Sequence, residues 1–254
     1  MKMDWGYSAL VEIGGRRILF DTGNNSEIFA HNVAALGVDL RRLDCVVISH
    51  RHGDHTDGLR HVLSVNPSVT IYVPRDLYFG GPTPKAVYER TVKELPAEMK
   101  YFQGRVPDSI PHGTPWAGAR FALVGETKQI GADVFLVPTG SKVPGTLELP
   151  ELSLCIRTPE GLVVVCGCSH PGIDAILDEA VKVDPRIRLI AGGLHLGAAS
   201  DDKIESVVAA LKDQYKIGGI APGHCTGEPA FAALRRTFAD RYLYAGLGTV
   251  LELR

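Results

Sequence analysis

The chain has 254 residues, 45% hydrophobic and 22% charged, enough apolar material for one large buried core. A formal charge of -2 and a pI near 6.5 offer no general attraction for phosphate backbones or anionic lipid, which argues against nucleic acid and membrane as partners and leaves a small, locally anionic substrate open. No apolar run is long enough to span a bilayer, and the five cysteines (Cys45, Cys155, Cys166, Cys168, Cys225) lie mostly in apolar strand-like runs; a soluble, cytoplasmic chain with reduced thiols is expected.

In chain order, Ser8 to Ile13 and Arg17 to Phe20 flank Gly14-Gly15 as a β-hairpin running into Asp21-Thr22-Gly23. Helical spacing of Ile28, Phe29, Val33 and Leu36 predicts a helix from Ser26 to Leu36, stopped by Gly37. Cys45 to Ile48 reads as a short buried strand delivering the chain to Ser49-His50. A helix of about ten residues from Asp57, a strand at Val69 to Val73 and a helical stretch from Lys85 to Leu95 are expected next. Residues 96–150 are rich in Pro and Gly, hold the apolar runs Phe121 to Val124 and Val134 to Val137, and read as an insertion or flap. With Tyr78, Phe79, Tyr88, Tyr101, Phe102 and Trp116 nearby, that stretch reads either as a lid over a pocket or as a packed apolar flap.

The second half predicts strands Leu152 to Thr158 and Leu162 to Cys166, helix Ile173 to Val183, strand Ile187 to Ala191, helix Asp202 to Tyr215, strand Gly219 to Ala221 and helix Ala230 to Phe238. Hairpins followed by βαβα order, in both halves, argue for a single α/β (α+β) domain over residues 1–254: two mixed sheets with helices outside, an αβ/βα four-layer sandwich.

The chemistry concentrates in Ser49-His50-Arg51-His52-Gly53-Asp54-His55. In an extended stretch His50 and His52 point to one side, and a turn at Gly53 returns Asp54 and His55 toward the same pocket. Imidazoles with a carboxylate suit zinc, or manganese and iron among harder ions. A solvated polar loop is the competing reading, but such density directly behind a buried strand favours metal. Gly167-Cys168-Ser169-His170, Gly192-Gly193-Leu194-His195 and Pro222-Gly223-His224-Cys225 each place a polar group just after a strand, which brings the strand ends to one pocket.

The HxHxDH pattern at His50 to His55, with Phe20-Asp21-Thr22-Gly23 upstream, resembles the metallo-β-lactamase superfamily. The strings GCSHPG (167–172), GGLHL (192–196) and PGHCTG (222–227) are similar to its dihydropterin synthase-like subgroup. The resemblance implies that His50 and His52 bind one metal ion, that Asp54, His55 and His224 bind a second, and that His170 completes the first site. Two Zn2+ ions are the implied cofactor, with Mn2+ or Fe2+ as the alternatives. Asp21 is expected to orient a ligand histidine, Asp54 to orient the attacking water, and His195 to face the pocket as a polar group or substrate contact. Two departures from the family pattern stand out: His112 is the only histidine between His61 and His170, and Cys168 sits where a bridging Asp is expected. Cys168 is expected beside the centre as a buried thiol, with thiolate ligation as the other option.

A metal-dependent hydrolase of a small ester, lactone or phosphoester is the leading expectation. The alternatives are a synthase joining a dihydropterin pyrophosphate-type substrate to an aminobenzene ribosyl phosphate, and a non-catalytic ligand-binding protein on the same fold. Only Met1 to Met3 precede the first strand-like segment, and an open sheet edge there favours pairing with a second copy as a homodimer.

Overall fold

Alternation with period two decides where each strand's side chains go. A computed structural model describes residues 1–83, 92–110, 113–141 and 149–253. In it β1 (Ala9–Ile13) and β2 (Arg16–Phe20) form the hairpin, antiparallel through Leu10 opposite Leu19. β3 (Cys45–Val47), β4 (Thr70–Pro74) and β5 (Arg120–Val124) add in parallel, giving a five-stranded sheet ordered β1-β2-β3-β4-β5. The second sheet, ordered β11-β10-β9-β8-β7-β6, comprises β6 (Lys128–Gly131), β7 (Val134–Gly140), β8 (Pro150–Thr158), β9 (Gly161–Cys166), β10 (Ile187–Gly193) and β11 (Gly219–Gly223). Its first four strands in chain order pair antiparallel, and β9, β10 and β11 run parallel.

Three apolar layers follow from this pleat. Ile18, Phe20, Cys45 and Val47 face Leu152, Leu154, Val163 and Val165 between the sheets. The alternate residues Leu19, Val46 and Ile48 turn outward to α1 (Ser26–Ala35) and α3 (Leu59–Val65). Leu162, Val164 and Cys166 turn the other way, to α4 (Ile173–Ala180), α5 (Asp201–Ala209) and α6 (Glu228–Phe238). The result is the αβ/βα four-layer sandwich. Helix starts carry the expected chemistry: the Asn25 side chain accepts from the amides of Glu27 and Ile28 at 2.9 and 3.0 Å, and Ser200 caps α5.

Two sequence expectations are redrawn, and a third lies mainly outside the described residues. The stretch 96–150 is not irregular throughout: it supplies β5, β6 and β7, strands of the two sheets. The helix expected from Asp57 begins two residues later, as α3, and a separate single turn, α2 (Gly53–Thr56), precedes it with a break at Asp57-Gly58. The break exists because the backbone after β2 crosses there: Thr22 N–H donates to the His55 carbonyl at 2.8 Å, and a Cβ on Gly58 would sit 2.1 Å from the Thr22 carbonyl oxygen. The helix expected from Lys85 to Leu95 lies mainly outside the described residues, as do Tyr88 and His112, and Val92 to Leu95 form a turn. Of the aromatic residues considered for a lid, Phe79 is buried and packs with Trp116 and Phe121 under the first sheet, whereas Tyr101 and Phe102 are exposed.

Candidate metal centre

Five strands end at one edge of the sandwich, and each hands over to a polar residue: β2 to Asp21, β3 to Ser49-His50 by way of Ile48, β9 to Cys168 and His170, β10 to His195, β11 to His224. α2, a single turn after His52, carries Asp54 and His55 back to the same edge. The residues singled out from sequence, His50, His52, Asp54, His55, Cys168, His170, His195 and His224, therefore meet. Among the described residues their donor atoms form three groups, each with all atoms within 4.8 Å of one another: Asp54, His55, Cys168 and His224; His50, Cys168 and His170; and Cys168, His195 and Cys225. His52 joins the second group, its Nδ1 lying 3.0 Å from His50 Nε2 and its ring centroid 4.8 Å from that of His170.

Proton positions on four imidazoles follow from their partners: two carboxylates, a carbonyl, and a hydroxyl whose own proton is given to Asp21. Asp21, fully buried, receives His55 Nδ1–H at 2.7 Å. The same carboxylate receives the Ser49 amide at 2.7 Å and the Ser49 hydroxyl at 2.8 Å. With its proton committed to Asp21, the Ser49 oxygen 2.9 Å from His50 Nδ1 accepts from that ring. The buried Glu151 carboxylate receives the amides of Ser169 and His170, at 2.9 and 3.0 Å, and also His170 Nδ1–H. His224 Nδ1–H donates to the Trp5 carbonyl at 3.0 Å. In His50, His55, His170 and His224 alike, the outer nitrogen carries the proton and Nε2 is left with a lone pair.

Those lone pairs point at one another: His55 Nε2 is 3.2 Å from His224 Nε2 and 3.2 Å from Cys168 Sγ. Electron-rich donors at such distances are reconciled by a shared cation, and outer-nitrogen bonds to carboxylate or carbonyl are what fix metal-binding histidines. The donor set of imidazoles, one carboxylate and a thiol fits zinc. Electrostatics agree. Burial, then the neighbouring imidazoles, lowers His50 well below its ordinary value, and burial with His170 lowers His52, so both stay neutral. Burial pushes the Asp54 carboxyl up, but the neighbouring His224 and His55 rings outweigh it and hold it down at about 2. Burial would depress His55, but Asp21 outweighs it and raises the ring.

The sequence pattern matches the model of the metallo-beta-lactamase superfamily over residues 6–224. The chain belongs to the metallo-beta-lactamase superfamily. It is 27% identical, over 95% of its length and 88% of the relative's, to the 7,8-dihydropterin-6-methyl-4-(beta-D-ribofuranosyl)-aminobenzene-5'-phosphate synthase of Methanocaldococcus jannaschii. A solved metal-dependent hydrolase of the beta-lactamase superfamily is 30% identical, covers 98% of this chain and 92% of its own, and superposes with a TM-score of 0.73. The metallo-beta-lactamase fold protein YhfI from Bacillus subtilis, 14% identical with a TM-score of 0.59 over 97% of this chain and 92% of its own, shares the fold.

Set against this superfamily's pattern, Cys168 stands out. The sequence leaves it either a buried thiol or a thiolate ligand; the structure puts its sulfur within 4.8 Å of the candidate donors in each of the three groups. Glu151 was missed. A lone carboxylate at the head of the apolar run Leu152 to Ile156 was its one signal, and what it orients becomes visible only when β8 is placed beside β9. Cys225 was read as a core thiol, yet it is half-buried beside His195 and Cys168. Hydrogen bonding from Cys168, with His195 alongside, holds Cys225 down at about 4, and the same contact with burial pushes Cys168 up. His195 is exposed at the mouth, its ring 4.2 Å from that of His170, and its hydrogen bond to Cys225 raises it. Tyr7, packed near His55 and His224, has its hydroxyl pushed up by burial. No described helix is long and apolar enough to cross a membrane.

Proposed function

We propose that this chain is a metal-dependent hydrolase of a small ester, lactone or phosphoester. Two divalent ions, zinc by donor chemistry, would be held by His50, His52 and His170 on one side and by Asp54, His55 and His224 on the other, with Cys168 between them. The observation that carries this reading is the orientation of the imidazoles: outer nitrogens against hydrogen-bond acceptors, inner nitrogens converging. The likeness to a metal-dependent hydrolase over nearly the whole chain supports it.

Ions in such a site lower the pKa of water toward neutrality and polarise a carbonyl or phosphoryl oxygen. The chain's own residues supply the rest. Asp54, ionised at any working pH, accepts a hydrogen bond from the attacking water and orients it. Asp21 holds His55 directly and His50 through Ser49, so one carboxylate fixes a ring on each side of the centre. Glu151 does the same for His170 and also clamps the backbone of the turn after β9. Metal content per chain by mass spectrometry, for the parent and for a His52→Ala/His224→Ala variant, tests the centre. Near two equivalents, lost in the variant, with chelator-sensitive turnover in a screen of esters, lactones and phosphodiesters, is the expected result. Protein that retains no metal and takes none up overturns it.

The similarity to the archaeal synthase over 95% of the chain favours a second reading, a synthase that releases pyrophosphate on joining its two substrates. Pyrophosphate appearing only when a dihydropterin pyrophosphate and an aminobenzene ribosyl phosphate are both supplied marks the synthase; turnover of a single substrate with water marks the hydrolase.

A further inference from the structure

Two soft or borderline donors at this edge, Cys225 and His195, are left unused by the two-ion arrangement. Both stand within 4.8 Å of each other and of Cys168 Sγ. Their placement is built into the fold. Ser169 Oγ donates to the Gly193 carbonyl at 2.7 Å, and Leu194 N–H donates to Thr226 Oγ1 at 3.2 Å. Thr226 Oγ1 in turn donates to the Gly223 carbonyl at 2.7 Å, and Gly197 N–H donates to the Cys225 carbonyl at 3.2 Å. These bonds stitch together the loops after β9, β10 and β11. The packing tolerates no side chain at the join: a Cβ on Gly193 would lie 2.4 Å from the Gly167 carbonyl and 2.8 Å from Cys225 Sγ. His195 holds a left-handed backbone, φ 51°, which seats the ring over His170 rather than letting it swing into solvent.

We infer that Cys168, His195 and Cys225 form a further metal seat, an N,S,S site for a thiophilic divalent cation that shares the Cys168 sulfur with the two-ion centre. One imidazole and two thiolates are a donor set that zinc accepts with a fourth position open, and softer ions such as cadmium favour it more strongly. Of the three residues His195 is exposed, so the seat is reached from solvent at that side. A thiolate sulfur has lone pairs for more than one ion, which lets Cys168 join the seat without leaving the histidines.

The test is a cadmium titration of the full chain after chelator treatment, following equivalents bound by equilibrium dialysis and thiolate-to-cadmium absorbance in the near ultraviolet. The parent should bind one equivalent more than Cys225→Ser, and that variant should lose about half of the thiolate absorbance, since one of two coordinating sulfurs is gone. His195→Ala, a change at an exposed residue, should keep the first equivalents and weaken the last by about tenfold or more. Equal stoichiometry and equal absorbance in parent and Cys225→Ser overturn the inference while leaving the two-ion reading standing. A parent that binds no cadmium overturns both.

Discussion

Asp21 shows how much one buried carboxylate can organise. It stands at φ 58°, a left-handed conformation uncommon for a non-glycine residue, and its oxygens accept the Ser49 amide, the Ser49 hydroxyl and His55 Nδ1–H. Asn at this position keeps the shape but has one acceptor oxygen and brings an NH2 group that faces donors. Asp21→Asn should lower stability by about 1–3 kcal/mol, because a buried donor loses its acceptor. It should also weaken zinc binding by about 10–100-fold, the usual cost of removing a carboxylate behind a ligand histidine. Urea unfolding and a chelator competition measure the two effects separately. An Asp21→Asn protein that binds zinc like the parent would deny the carboxylate its orienting role. Glu151→Gln should act in parallel on the His170 side, since Glu151 occupies the equivalent place behind that ring.

At the scale of elements, the break between α2 and α3 is the joint that sets Asp54 and His55. Gly58 lies against the Thr22 carbonyl and the Phe29 ring, so Gly58→Ala forces the turn after β2 away from α2. The expected cost is at the upper end of the overpacking range, about 3 kcal/mol, with metal affinity falling alongside because α2 is displaced. A melting temperature equal to the parent's would show that the crossing is looser than its geometry implies. A second element-level prediction concerns the loop between α4 and β10. There Asp184 accepts the Arg186 amide at 3.0 Å and its guanidinium at 2.9 Å, while Arg186 reaches the Pro159 carbonyl of the β8–β9 turn. The side-chain hydrogen bond from Arg186 holds the Asp184 carboxyl below its ordinary 3.8, so its stabilising contribution is present above that pH and is lost as pH falls through the lower folded value. The gap between parent and Asp184→Asn in urea midpoint should therefore close below pH 3.8.

What was legible in the sequence divides along the same line. Period-two and helical apolar spacing located most of the strands and helices, because burial of one face is written locally in residues such as Ile18, Phe20, Cys45 and Val47. The HxHxDH run exposed most of the donor set, since ligands close in sequence announce themselves by density. The start of α3 at Leu59 rather than Asp57 was not legible: it depends on a backbone crossing from residue 22 against Gly58. Nor were the role of Glu151 behind His170 and the nearness of the Cys168 sulfur to His55. Their roles come from strands 8 and 9 meeting the loop after strand 3, a contact across more than 100 residues, as in the 113-residue separation of His55 and Cys168.

That separation has a consequence for the whole molecule. His50, His52, Asp54 and His55 belong to the first sheet's half of the sandwich, while Cys168, His170 and His224 extend from strands of the second. An ion held by both sets ties the two sheets together at one edge, where the inter-sheet apolar layer ends. Because the unfolded chain does not preassemble that donor set, ion binding adds to folding stability by mass action. At free zinc one hundred times the dissociation constant the gain is about 2.7 kcal/mol for a single site. In a chain of this size that corresponds to a rise of about 5–10 °C in melting temperature. Calorimetry of chelator-treated protein, before and after adding zinc back, should show this shift, and the His52→Ala/His224→Ala variant should lose most of it. A shift of the same size in that variant would place the stabilising ion elsewhere, whereas a shift confined to the parent identifies the edge as the point where metal and fold are coupled.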